Sequence, residues 1–178
     1  MSRVFFISDL HFGHKKIVQF GNQNGISLRS GDTYVENMHI IAQNCIDTVT
    51  KRDLLYILGD AAFTEDGLEA IKEIPGRKIL VRGNHDNYFK TEQLLRVFES
   101  IEGLVRYKNA WLSHAPIHPA ELRGKINIHG HVHNQSIRNQ YTGEYDERYI
   151  NVCCEAVGEK PISYQEIIDG TYQKIRKC

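Results

Sequence analysis

Three short apolar runs punctuate the first half of the chain: Val4-Phe5-Phe6-Ile7-Ser8, Leu54-Leu55-Tyr56-Ile57-Leu58 and Lys78-Ile79-Leu80-Val81. They scarcely alternate between apolar and polar residues, the pattern of strands buried on both faces. Weaker strand candidates follow at 104–107, 110–113, 125–128 and 148–152. Between the first two runs, Val35, Met38, Ile41, Ala42, Cys45, Ile46 and Val49 recur at three- and four-residue steps, the stripe of an amphipathic helix. Thr33 with Glu36 matches a capping box at its start. Further helices are predicted over 66–74, over 92–101 (Leu94, Leu95, Phe98 and Ile101) and over 164–168, the last opened by Ser163 and Glu166. The polar, glycine-rich stretch 21–30 reads as a loop. Strand and helix signals alternate, so an α/β layered fold is predicted. No repeat or low-complexity linker divides the chain, and 1–178 reads as a single domain.

Composition narrows the function classes. A chain of 178 residues, 41% hydrophobic and 25% charged, is an ordinary globular domain with a sizeable core. Lys+Arg and Asp+Glu both number 22, so the net charge is zero. That argues against a footprint for duplex nucleic acid, but it leaves room for a small nucleotide or a single strand. No apolar run approaches the ~20 residues that span a bilayer, and the first strand reaches Asp9 too soon for a signal peptide. Cys45, Cys153, Cys154 and Cys178 form neither a C-x-x-C pair nor a disulfide framework, so a reducing cytoplasm is expected. Cys153 and Cys154 are expected to be buried structural thiols at a strand end.

The chemistry lies where the strands end. Asp9 and His11 follow the first strand, Asp60 the second, and Asn84, His85 and Asp86 the third. His114 follows 110–113, and His131 with His133 follows 125–128. Five strand ends thus deliver carboxylate, amide and imidazole groups to the crevice where open α/β sheets build their sites. In an extended segment residues two apart share a face, which would pair Asp9 with His11 and His131 with His133. Gly59, Gly83 and Gly130 each precede one of these residues and would allow a sharp turn there. Seven nitrogen or oxygen ligands fill two metal sites if one carboxylate bridges. The mixture suits Mn, Fe, Zn or Ni, and the lack of a ligating cysteine argues against structural zinc.

In order along the chain, Asp9-x-His11, Gly59-Asp60, Gly83-Asn84-His85-Asp86, His114 and Gly130-His131-x-His133 resemble the five motifs of the calcineurin-like metallophosphoesterases. The likeness is greatest to their small single-domain bacterial and phage members, which share the opening from Asp9 to His14. It implies a four-layer α/β/β/α sandwich with the site at its rim. It implies one ion on Asp9, His11, Asp60 and His133, and a second on Asp60, Asn84, His114 and His131, with Asp60 bridging. It implies that His85 faces the leaving-group oxygen and that Asp86 orients His85. Two departures bear on supporting contacts: Ala61-Ala62-Phe63 stand where family members often carry another acid, and Ser113 precedes His114 in place of glycine.

The function so implied is hydrolysis of phosphate mono- or diesters by a metal-bridging hydroxide, manganese being the first choice among the metals. The expected substrate is a small phosphoester or nucleotide, with no membrane partner and no prediction of oligomeric state. Cleavage of single-stranded nucleic acid is the alternative, and a catalytically weak protein-binding scaffold a lesser one. The segment between His114 and Gly130 is too short for a large cap over the site. Among the remaining residues, His14 is expected at the site's edge or in a loop, His39 in solvent, His118 in loop scaffold, His129 packed within its strand or bonded to a group behind the ligands, and Arg123 and Lys125 in a solvated loop.

Overall fold

The structure is a computed structural model that describes residues 2–21, 25 and 27–171. The loop expected over 21–30 lies partly outside these residues, as does Cys178. The first sheet has the order β4-β3-β2-β1-β9, with β4 (Ser100–Glu102) and β9 (Ile162–Ser163) at its edges. Its centre is β1 (Val4–Ile7), β2 (Leu54–Ile57) and β3 (Arg77–Val81), all parallel. The second sheet, in the order β5-β6-β7-β8, consists of β5 (Val105–Tyr107), β6 (Ala110–Ser113), β7 (Ile126–His129) and β8 (Tyr149–Asn151). Its last three strands are parallel.

The apolar runs become central strands because both of their faces are covered. Phe6 stacks on Tyr56 and meets Tyr107 of β5 edge-on, so that face of the first sheet lies against the second. The other face carries α1 (Tyr34–Thr48) and α2 (Glu65–Glu73), which pack on each other and bury Ile41, Cys45, Leu68 and Ile71. Thr33 Oγ1 accepts the amide of Glu36 as predicted, although Glu36 reaches back to the amide of Asp32 rather than of Thr33. Beyond the second sheet the outer layer is thin. A 3-10 turn at Pro119–Glu121 and its flanking loop lie over Asn127 and Tyr149, through Ile117 N–H to Asn127 Oδ1 and Tyr149 O–H to Ile117 O. Helices outside the first sheet, two facing sheets and this turn outside the second give the layered α/β fold, and one hydrophobic core runs from Phe5 to Ile167.

Two elements differ from the sequence reading. The helix expected over 92–101 stops after α3 (Thr91–Leu94), and Ser100–Glu102 form β4, parallel to β3. Leu94 and Phe98 are buried as a helix stripe would bury them. The open edge of β3 nevertheless takes the extended chain, through Glu99 N–H to Lys78 O and Arg82 N–H to Glu102 O. Main-chain hydrogen bonds at a sheet edge outweigh a weak local helix preference. In addition, Ile162–Ser163 add β9 antiparallel to β1, directly before the fully formed capping box of α5 (Tyr164–Ile168).

Candidate metal centre

All seven proposed ligands follow strands, and the two sheets bring them together at one rim. Among the described residues, two groups have donor atoms within 4.8 Å of one another: Asp9, His11 and His133, and Asp9, Asp60 and His114. Asp60 Oδ2 stands 3.7 Å from His11 Nε2 and 3.6 Å from His114 Nε2, one imidazole from each expected ion site. His114 Nδ1 lies 2.8 Å from Leu58 O; a carbonyl only accepts, so Nδ1 carries the proton and Nε2 faces the centre. Asn84 Oδ1 and His131 Nδ1 are 2.9 and 3.2 Å from that Nε2. Acceptors crowded so closely call for a proton or a cation among them. Asp9, His11, Asp60 and His114 are buried, while Asn84 and His131 are exposed, so the centre opens to solvent on their side.

The backbone reaches this geometry by left-handed turns rather than by the extended segments expected. Of the eight non-glycine residues with positive φ among those described, five are proposed ligands: Asp9 (57°), His11 (53°), Asp60 (52°), His131 (72°) and His133 (50°). Such conformations cost roughly 1–3 kcal/mol each and persist where the surroundings impose them, most often at functional sites. The glycines also act differently from expectation. Gly59 does turn, at φ 90°. Gly83 and Gly130 instead make room: a Cβ at Gly83 would collide with Asp60, and one at Gly130 with Ser8 and Asp9.

The groups around the ligands fix their charge and aim. Asp9 Oδ2 accepts from Ser8 Oγ (2.6 Å), His131 N–H (2.9 Å) and Cys153 Sγ (3.1 Å). Burial raises the Asp9 carboxyl, but neighbouring His11 and His114 and the bond from Ser8 outweigh it and hold it well below the usual range. Burial, reinforced by Asp9, pushes the Cys153 thiol well above its ordinary value, so it donates as a neutral thiol. Cys153 is thus buried as expected but also touches Asp9, a proposed ligand. It caps α4 (Cys154–Val157) rather than ending a strand.

One expected role is corrected. Asp86 does not orient His85. Its two oxygens accept the backbone N–H groups of Asp60 (3.0 Å), Ala61 (2.9 Å) and Gly83 (2.7 Å), tying the second motif to the third. Burial raises its carboxyl despite the pull of the Gly83 and Ala61 amides. His85 has helical backbone, with φ −94° and ψ −8°, because a 3-10 turn at Asp86–Tyr88 starts there. It is held by its own amide, which donates to Asp60 Oδ1 at 2.8 Å, and its ring points outward beside Phe63. Phe63, where family members often carry an acid, stacks on His11 with centroids 5.3 Å apart. Ser113, in place of glycine, braces the fourth loop through Ala115 O and Asn127 Nδ2.

Sequence reasoning missed Arg29 and Glu155. Glu155 Oε1 accepts from His133 Nδ1 (3.0 Å) and Arg29 Nε (2.8 Å), leaving His133 Nε2 to face the centre. The Arg29 guanidinium also donates to Asp9 O and Leu10 O. The bond to Glu155 raises His133, and Glu155 is held below its usual range because His133 and Arg29 outweigh its burial. The two residues lie 126 positions apart with no shared motif, so only the fold reveals the pair. Groups that aim a ligating histidine typically contribute about 10–100-fold in metal affinity. Glu155→Gln should weaken manganese binding by about that factor, read by calorimetric titration of protein shown to be folded. A variant that melts earlier yet binds manganese as tightly would restrict Glu155 to neutralising Arg29.

Of the other histidines, His14 packs against His11 and Phe63 at the edge of the centre, and its pKa is lowered, first by burial and then by His11 and His85. His39 is exposed, His118 caps the Pro119–Glu121 turn, and His129 is buried against Tyr149. Arg123 pairs with Glu121 on the surface.

Residues 2–153 match the family described as calcineurin-like phosphoesterase. The chain belongs to this family. The chain is 30% identical to the Gene 66 protein of Mycobacterium phage L5, over 95% of its own length and 94% of that protein. It is 29% identical to the uncharacterized protein MJ1445 of Methanocaldococcus jannaschii, over 94% and 90%. The crystal structure of AQ665, a protein of unknown function from Aquifex aeolicus, superposes with a TM-score of 0.71 at 29% identity, covering 95% of this chain and 99% of that one. No helix among the described residues is long and apolar enough to cross a membrane.

Proposed function

We propose that the protein hydrolyses phosphate esters with two divalent metal ions held by Asp9, His11, Asp60, Asn84, His114, His131 and His133. One observation carries this reading. Among the described residues, Asp9 Oδ1 and both ring nitrogens of His11 are buried with no hydrogen-bond partner, next to Asp60 Oδ2. Burying unpaired polar groups costs about 1–3 kcal/mol each, and a cation bound between Asp9 Oδ1 and His11 Nε2, which stand 3.6 Å apart, removes that cost for these two atoms. The donors are carboxylate, amide and imidazole, which suits Mn, Fe, Zn or Ni; manganese is our first choice. The buried free thiols of Cys45, Cys153 and Cys154 favour a reducing, cytoplasmic setting.

Resident ions would supply the charge that clamps a phosphoryl group and the acidity that makes water a nucleophile near neutral pH. The chain itself does three things. Asp60, with Oδ1 held by the His85 amide, presents Oδ2 between the two ligand sets. Exposed Asn84 and His131 leave an open side for a small phosphoester or nucleotide. His85, its side chain 44% exposed beside Asp60, is placed to protonate the leaving oxygen. The test is to strip the protein of metal, titrate manganese back, and assay phosphate mono- and diesters. Activity should require manganese and saturate near two equivalents. Full activity in chelator, or saturation at one equivalent, would overturn the dinuclear reading.

A further inference from the structure

The leaving-group side of the centre carries an aromatic surface that the ligand set does not explain. Phe63 stacks on His11 and lies 5.3 Å from the His85 ring, centroid to centroid. Tyr88 continues the surface 4.9 Å beyond Phe63 and is 63% exposed. On the other flank, His14 sits 4.9 Å from Phe63, and Phe20, 53% exposed, lies 5.8 Å from His14. Six rings thus gather at one mouth, and the two outermost, Phe20 and Tyr88, are large and open to water. Exposed apolar side chains clustered at a site mark a binding surface.

We propose that Phe20, Phe63 and Tyr88 form a stacking platform for the base of a nucleotide whose phosphate lies at the metal centre. This rests on the phosphoesterase reading and names its substrate class. The spacing supports it: Phe63 is one ring away from His11 and from His85, and a base is joined to its phosphate through a single sugar. The flat faces discriminate a planar base from an alkyl group without reading its edge, so several bases would be accepted. One mouth with one platform, on a chain of zero net charge, favours a free nucleotide or short diester over a long strand.

Equilibrium binding tests the platform separately from turnover. Manganese-loaded protein should bind adenosine monophosphate about ten- to a hundredfold more tightly than ribose 5-phosphate, the range expected for one base stacked on an aromatic side chain. Tyr88→Ala should lose most of that preference while binding ribose 5-phosphate unchanged, Tyr88→Phe should keep it, and Phe20→Ala should weaken it. Equal affinities for the two ligands in the wild type, or a preference untouched by both alanine variants, would overturn the platform. A preserved preference with no hydrolysis of any ester would keep the platform and sink the phosphoesterase reading. A single-stranded oligonucleotide bound no more tightly than its mononucleotide keeps the free nucleotide as occupant; much tighter binding overturns that choice in favour of a strand end.

Discussion

Asp60→Asn is expected to abolish tight binding of both ions and with it the activity. Asp60 Oδ1 is committed to the His85 amide, so the amide oxygen of asparagine takes that place. The NH₂ group is then forced to where Oδ2 stood, 3.6–3.7 Å from His11 and His114. A donor with partial positive charge replaces a carboxylate between the two proposed cation sites. Removing one partner of a buried charge pair costs about 3–5 kcal/mol, or about 10²–10⁴-fold in affinity. Asn84→Ala removes one exposed ligand of one site and should cost less. Calorimetric titration of manganese into both variants decides the order. Two intact equivalents on Asp60→Asn would refute the central position of Asp60.

His85→Ala should separate catalysis from metal binding. His85 Nε2 stands 4.0 Å from Asp60 Oδ2 on a side chain that is 44% exposed, and the proposed ligand set is complete without it, so both ions should remain. Loss of a general acid costs ~10²–10⁴-fold in rate. That loss should appear in full on an alkyl phosphodiester, whose alkoxide needs a proton to depart. It should shrink on a nitrophenyl ester, whose phenolate leaves without one. Because Asp86 serves the backbone and not His85, Asp86→Asn should affect folding more than the shape of this comparison. An equal loss on both substrates, or a lost ion, would remove His85 from the leaving-group role.

The strands that frame the site were readable because burial on both faces writes continuous apolar runs, and α1 because its stripe runs through Met38, Ile41 and Cys45. The residues that converge at the candidate centre were readable for a related reason. A site at a sheet's rim draws on residues just after strands, and those residues fall in fixed order along the chain. Legibility failed where partners are remote. The stripe of Leu94, Phe98 and Ile101 fits a helix, and only the open edge of β3 turns its end into a strand. Arg29 and Glu155 meet across 126 positions, and nothing local to either announces it. Asp86 stands next to His85 in sequence, yet its carboxylate turns inward to three amides. The role that the family resemblance implied for it therefore gives way to bracing of the backbone.

The close fit at Gly130 has a consequence beyond catalysis. This residue, at the end of β7 in the second sheet, packs against Ser8 and Asp9 at the end of β1 in the first, and His131 N–H binds Asp9 across the same seam. Ions held there would act as rivets between the two halves of the molecule. A ligand at a thousandfold excess over its dissociation constant adds about 4 kcal/mol to stability, against a total of about 5–15 kcal/mol for a typical domain. Cellular metal supply would then set how much of the protein survives proteolysis as well as how fast each molecule works. Starvation for the ion would thin the population before it slowed the survivors.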